Sequence, residues 1–359
     1  MGVWTITGGQ LLAKPGLVPL REFDLTVESE PDRRVQLGGD VAVVPGLVDF
    51  HAHIDRGNGE TVGIAEPWLA QAGVRFAADA GTYGWASAYS AEAPSAVSRS
   101  WVSLLPHGLT TLPDTPRLRE VVARMDEPDS YQLNLPPAVL GFKIRLGQND
   151  RQDDEDLLRT GTLWAEHFGL PLMVHWTGTY LPPAEVVGYL RPGDVLTHAW
   201  APLGEQESLT SRTTALSLAK ERRIVLDVGH GRNHFAWDVF MAGRALGVEP
   251  DTISTDVTRA SWQQAPVYDL PHLVGKFIAG GLSPEQAMMA ASFTPARYLG
   301  LTDSTEAWVF FVLQETPVTL RDVRGGTLLA RQFWHPALII MNGKVMRQSD
   351  RHFAQWVKG

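Results

Sequence analysis

From Leu47 to about Leu301 short apolar runs alternate with stretches of helical periodicity. The runs are Leu47–Phe50, Val74–Ala78, Trp101–Leu105, Val139–Ile144, Pro171–His175, Asp194–Thr197, Arg223–Asp227 and Thr252–Thr255. Each is the length of a strand, and their nearly continuous apolar character is that of strands buried on both faces of a parallel sheet. Between them, Leu118, Val121, Val122 and Met125 recur at i, i+3, i+4 and i+7, one stripe of a helix. Leu157, Gly161, Trp164, Ala165 and Phe168 repeat the pattern until Gly169 and Pro171 stop it. Ser283-Pro284-Glu285-Gln286 combines an N-cap, a first-turn proline and a capping-box partner, which predicts a helix through Ala291.

Eight strand–helix repeats over ~250 residues predict a (β/α)8 TIM-like barrel, an α/β fold. Outside the barrel the pattern is different. Val3 to Ile6, Phe23 to Val27, Val35 to Leu37 and Val41 to Val44 are short β runs with too little apolar surface for a core of their own, and Trp308 to Leu313, Ala337 to Ile340 and Lys344 to Met346 are strand-like again. The expectation is a small β domain made by both chain termini, residues 1–45 and 302–359, beside a barrel of residues 46–301.

Composition narrows the chemistry. The chain of 359 residues has a net charge of −9 and no basic run, which disfavours a nucleic-acid partner. It has no cysteine, so disulfides, thiolate nucleophiles and cysteine-ligated zinc are excluded. Any metal site must use nitrogen and oxygen. Met1 to Thr7 carries no basic segment and no long apolar run, so no membrane association and a cytoplasmic location are expected.

Strand alternation puts His51 and His53 on one side, where a parallel barrel collects its chemistry. Other metal-binding residue types close later strands: Lys143 the fourth, His175 the fifth, His198 the sixth and Asp256 the eighth. Asp227, at the end of the seventh, supplies no direct ligand in this reading. Arg145, two residues past Lys143, points to the same side and suits a substrate carboxylate. His230 and Arg232 follow the seventh strand and are further candidates for substrate contact. His107, His167, His272, His335 and His352 read as structural or surface residues, and the scattered tryptophans as packing.

Pro45-Gly46-Leu47-Val48-Asp49-Phe50-His51-Ala52-His53, followed in order by Lys143, His175, His198 and Asp256, resembles the amidohydrolase superfamily of metal-dependent hydrolases. The Lys143 segment, Asp227-Val228-Gly229-His230-Gly231-Arg232 and Thr294-Pro295-Ala296-Arg297-Tyr298-Leu299-Gly300 resemble its dihydroorotase-like deacetylase branch. The resemblance implies two divalent metal ions: His51, His53 and Asp256 on one, His175 and His198 on the other, and Lys143 bridging both as a carbamate. It also implies a metal-bridging hydroxide that attacks an amide, cyclic amide or ester carbonyl of a small molecule, with Asp256 as the catalytic base and then acid. Zinc is the first expectation from imidazole-rich ligation, with manganese or nickel compatible with the oxygen ligands. Dihydroorotases proper read His-x-His-x-Arg, whereas Arg56 here stands one position later. The alternatives are a mononuclear deaminase-like hydrolase that does not need Lys143, and a catalytically silent barrel serving as a scaffold. A homo-oligomer is compatible with all three.

Overall fold

The computed structural model describes residues 1–14, 16–55, 62–84, 97–105, 108–110, 139–302 and 306–358. The predicted helix over 118–125 lies outside them, as do Arg56 and His107.

Seven parallel strands form the barrel wall: Leu47–Ala52, Val74–Gly84, Ser98–Ser103, Val139–Arg145, Leu172–His175, Val195–Thr197 and Val225–Asp227. They pair in chain order. The eighth predicted strand is a correction. Residues 252–257 form no regular strand ladder, and their sheet pairings are the isolated bridges Asp227 to Thr252 and Ala52 to Val257. The reason lies in its amides and its backbone. Ile253 N donates to Ala290 O at 2.9 Å and Thr255 N to the Asp49 carboxylate at 3.0 Å, and Asp256 has a left-handed φ of 49°. Its carbonyls still accept from Val228, His230 and Gly231, and Asp256 N donates to His51 O, so the segment closes the barrel without being a regular strand.

Val48, Phe50, Phe76, Ala78, Trp101, Met173 and Val195, from five different strands, meet in one apolar cluster inside the barrel. The short helix Phe293–Tyr298 closes it from below, its Tyr298 ring edge-on to Phe50 at 5.0 Å and its hydroxyl bonded to Gly193 O, just before the sixth strand. The floor therefore lies at the N-terminal strand ends and leaves the opposite mouth for polar groups.

The capping box predicted at Ser283 is present: Gln286 N donates to Ser283 Oγ at 3.1 Å and the Gln286 side chain accepts from Ser283 N at 2.8 Å. The helix predicted around Leu157–Phe168 spans Arg151–His167, with Asp150 as its N-cap.

An eight-stranded sheet combines strands from both sides of the barrel sequence. Its central strand, Arg33–Pro45, runs parallel to Gly2–Leu12 and antiparallel to Ala307–Gln314. Alternation explains why Val41–Val44 is buried throughout. Ala42 and Val44 face the barrel core, while Val41 and Val43 join Trp4, Ile6, Phe310 and Trp356 in a second core. The helix Leu270–Ala279 packs on the strand Phe333–Met341 with a glycine at the crossing, since a Cβ on Gly275 would lie 2.1 Å from Trp334 O. Among the described residues, no helix is long and apolar enough to cross a membrane.

Candidate metal centre

At the mouth, His51 and His53 converge on one carboxylate oxygen. Their Nε2 atoms lie 3.2 and 3.0 Å from Asp256 Oδ1. The rings are set from behind. His51 Nδ1 lies 2.8 Å from Thr197 Oγ1, whose hydroxyl donates to Asp227 Oδ2 at 2.7 Å. A carboxylate only accepts, so Thr197 gives its proton to Asp227 and receives one from His51 Nδ1–H. That hydrogen bond turns the ring so that His51 Nε2 faces Asp256. Asp227 also accepts from Thr252 at 2.6 Å and Ser254 at 2.7 Å, which ties the seventh strand to the irregular eighth segment. His53 Nδ1 pairs with Thr82 Oγ1 at 2.8 Å, and Asp79 holds the Thr82 and Ile54 amides.

The other side of the mouth is built from loops. His198, at a left-handed φ of 62°, is hydrogen-bonded through Nδ1 to Gly229 O at 2.6 Å; a carbonyl only accepts, so Nδ1 carries the proton. Among the described residues, its buried Nε2 has no hydrogen-bond partner. The His175 ring stands 4.2 Å from that of His198. Burial, reinforced by neighbouring imidazoles, holds both His175 and His198 well below the ordinary histidine pKa. Left-handed conformations at His198 and Asp256, neither a glycine, are the backbone strain that active sites tolerate.

Lys143 is buried, and among the described residues its Nζ hydrogen-bonds only to Met173 Sδ, at 3.1 Å. Burial lowers its pKa to about 7, against the opposing pull of the Asp256 and Asp227 charges. Asp256 behaves oppositely: burial pushes its pKa up, but the His51, His234 and His53 contacts outweigh this and hold it well below the usual carboxylate range.

The structure thus brings His51, His53, Lys143, His175, His198 and Asp256 to one end of the barrel. A cavity there is lined by His51, His53, Lys143, His175 and, at its rim, Arg145. Arg232 is exposed on the loop after the seventh strand. His230 does not face the mouth. It is fully buried, hydrogen-bonded through Nδ1 to Gly231 O at 2.9 Å and through Nε2 to Lys276 Nζ at 2.7 Å, and stacked on Phe235. Neither ring nitrogen is open to a substrate, so the expectation of substrate contact there is corrected to a packing role.

One residue in the mouth escaped the sequence reading. His234 Nδ1 lies 2.9 Å from Asp256 Oδ2, and its ring is 4.1 Å from that of His198 and 4.9 Å from that of His175. It stands in a turn rather than at a strand end, which hid it from a search of strand ends. The available signal was its place four residues after His230 in the same glycine-rich loop.

A cation suits this arrangement on the protein's own terms. His51 Nε2 and His53 Nε2 converge on one carboxylate oxygen at 3.2 and 3.0 Å, and among the described residues the buried His198 Nε2 has no hydrogen-bond partner. Two groups, His51, His53 and Asp256, and His198, His234 and Asp256, each have their ligand atoms within 4.8 Å of one another.

No protein-family model matches the chain. It is similar to a deacetylase of Enterococcus faecalis, 26% identical over 225 residues, which cover 59% of this chain and 60% of that protein. The chain therefore spans less than two thirds of that relative. A deacetylase of Brucella anthropi is 26% identical over 363 aligned residues, covering 94% of this chain and 88% of the relative. Among solved structures, a dihydroorotase superposes with a TM-score of 0.73 at 21% identity, covering 96% of this chain and 99% of the other. An adenine deaminase gives 0.70 at 23% identity, covering 95% and 98%. At those identities the structural likeness is one of fold.

Proposed function

We infer, from a chain that belongs to the amidohydrolase superfamily, a metal-dependent hydrolase that cleaves an amide, cyclic amide or ester bond of a small molecule. The observation that carries this reading is the convergence of His51 Nε2 and His53 Nε2 on Asp256 Oδ1, opposite the unpartnered His198 Nε2. His51, His53 and Asp256 would hold one divalent cation, and His175 and His198 a second, with Lys143 between them as a carbamate. Zinc is the first choice for such ligands, with manganese and nickel compatible. When bound, the cations supply Lewis acidity for the substrate carbonyl and acidify the attacking water.

The remaining steps belong to the protein. Asp256, ionised at neutral pH, takes a proton from the attacking water and returns it to the departing nitrogen or oxygen. The Thr197–Asp227 relay orients the ring of His51 so that Nε2 faces Asp256, and Thr82 fixes the ring of His53. Arg145 at the rim offers a guanidinium to a substrate carboxylate, and exposed Arg232 is a further candidate for that role. With its pKa at about 7, Lys143 has a substantial free-amine fraction at neutral pH, the form that adds carbon dioxide to give a carbamate and a released proton.

The test is a panel of N-acetyl amino acids, hydantoin-like rings and acyl esters, offered to metal-replete protein with bicarbonate present. Turnover of at least one class, abolished by a chelator and restored by a divalent ion, is expected. Metal-replete protein inert across all three classes overturns the reading. The His51, His53 and Asp256 group needs no carbamate, which keeps a mononuclear form as the second reading. Near-normal turnover of Lys143→Ala would favour it.

A further inference from the structure

We propose that His234 is itself a metal ligand, forming with His198 and Asp256 a second cation position that is complete without a carbamate on Lys143. The proposal rests on the metal-dependent reading above and changes which residues make the second position.

Three observations carry it. The ligand atoms of His198, His234 and Asp256 lie within 4.8 Å of one another. The two oxygens of Asp256 are divided between the groups, Oδ1 toward His51 and His53 and Oδ2 toward His234, which is how a carboxylate bridging two cations is disposed. Finally, His198 presents a buried, unpartnered Nε2, its Nδ1 proton being committed to Gly229 O. Two imidazoles and a carboxylate are a familiar three-ligand set for zinc, with the fourth place open.

The loop is shaped to deliver His234 there. Gly231 has a φ of 47°, and a Cβ on it would lie 2.3 Å from Asp256 Oδ2 and 2.8 Å from His234 Nδ1. Only glycine lets the backbone pass so close. The buried His230, gripped by Lys276, anchors the start of the turn, and His234 N returns to His230 O at 3.3 Å. Lys143, by contrast, donates to Met173 and as an amine adds no anionic donor. Uptake of the second ion would then not depend on carbon dioxide.

The experiment is metal stoichiometry and affinity, measured by equilibrium dialysis against zinc or cobalt with elemental analysis, in carbon-dioxide-free and in bicarbonate buffer. Wild-type protein is expected to bind two equivalents in both buffers. His234→Ala, shown to be folded by circular dichroism, is expected to bind its second ion more than about 100-fold more weakly in carbon-dioxide-free buffer, beyond the ~10–100-fold cost of losing an outer-shell partner. His234→Asn, which can keep the hydrogen bond to Asp256, should behave like His234→Ala. Second-ion binding within about threefold of wild type in His234→Ala, or its rescue in His234→Asn, overturns the proposal. So does loss of the wild type's second ion in carbon-dioxide-free buffer alone. Wild-type protein that binds one ion in both buffers overturns only this inference, whereas one that binds none overturns the hydrolase reading as well.

Discussion

The mouth and the floor of this barrel lie a few residues apart on the same strands and are built on opposite principles. At the floor, Phe50 packs edge-on against both Trp101 and Tyr298 in an apolar cluster. At the mouth, buried imidazoles face a buried carboxylate, two non-glycine residues hold left-handed backbone, and one ring nitrogen has no partner. The floor serves the fold. The mouth works against it and is held in place by braces such as Thr197–Asp227 and Asp49–Thr255. Asp49 shows the strain plainly: burial pushes its pKa up to about 7 despite the Thr255 hydrogen bonds.

The largest effect should come from Asp256→Asn, with hydrolysis falling by about 10²–10⁴-fold, the usual worth of a general base. A fall of less than about tenfold would remove Asp256 from the chemistry. Trp101→Ala should do the reverse. It should lose about 3–5 kcal/mol of stability by denaturant titration, with kcat well below the unfolding range within about twofold of the parent. A large loss of kcat in that variant would mean that the floor also tunes the chemistry.

Thr197→Val sits between the two. It keeps the volume but breaks the relay to His51, so metal affinity should weaken by ~10–100-fold in a competitive chelator titration while the fold persists. The smallest effect concerns Lys143. Because burial lowers its pKa to about 7, the neutral amine becomes dominant above that pH. Reactivation of decarboxylated apoprotein at fixed dissolved carbon dioxide should therefore speed up as pH rises through about 7 and level off above it. A rise continuing toward the ordinary lysine range, near 10.4, would show that Lys143 is not held neutral.

Much of this was legible in the sequence. Apolar runs that end in His, Lys or Asp carry their own address in a parallel barrel, so His51, His53, Lys143, His175, His198 and Asp256 could be read from the sequence as one set, although the run before Asp256 is not a regular strand. The terminal strands were legible too, because Val41–Val44 and Trp308–Leu313 are apolar on both faces. What was hidden depends on three-dimensional return of the chain. Ile253-Ser254-Thr255 has strand composition, but Asp49 and the end of the helix Pro284–Ala290 take its amides. His234 reaches the mouth through a glycine turn that no period reports. His230, nearer the strand in sequence, turns inward to Lys276.

The central strand of the terminal sheet also sets an order on synthesis. Arg33–Pro45 leaves the ribosome early, yet one of its edges is completed only by Ala307–Gln314, made after the whole barrel. Until then Val41 and Val43 lack Phe310 and its neighbours, and an apolar strand edge stays open to wrong pairing. The barrel must therefore be built while this strand waits, and chains arrested before residue 307 should be the ones that aggregate.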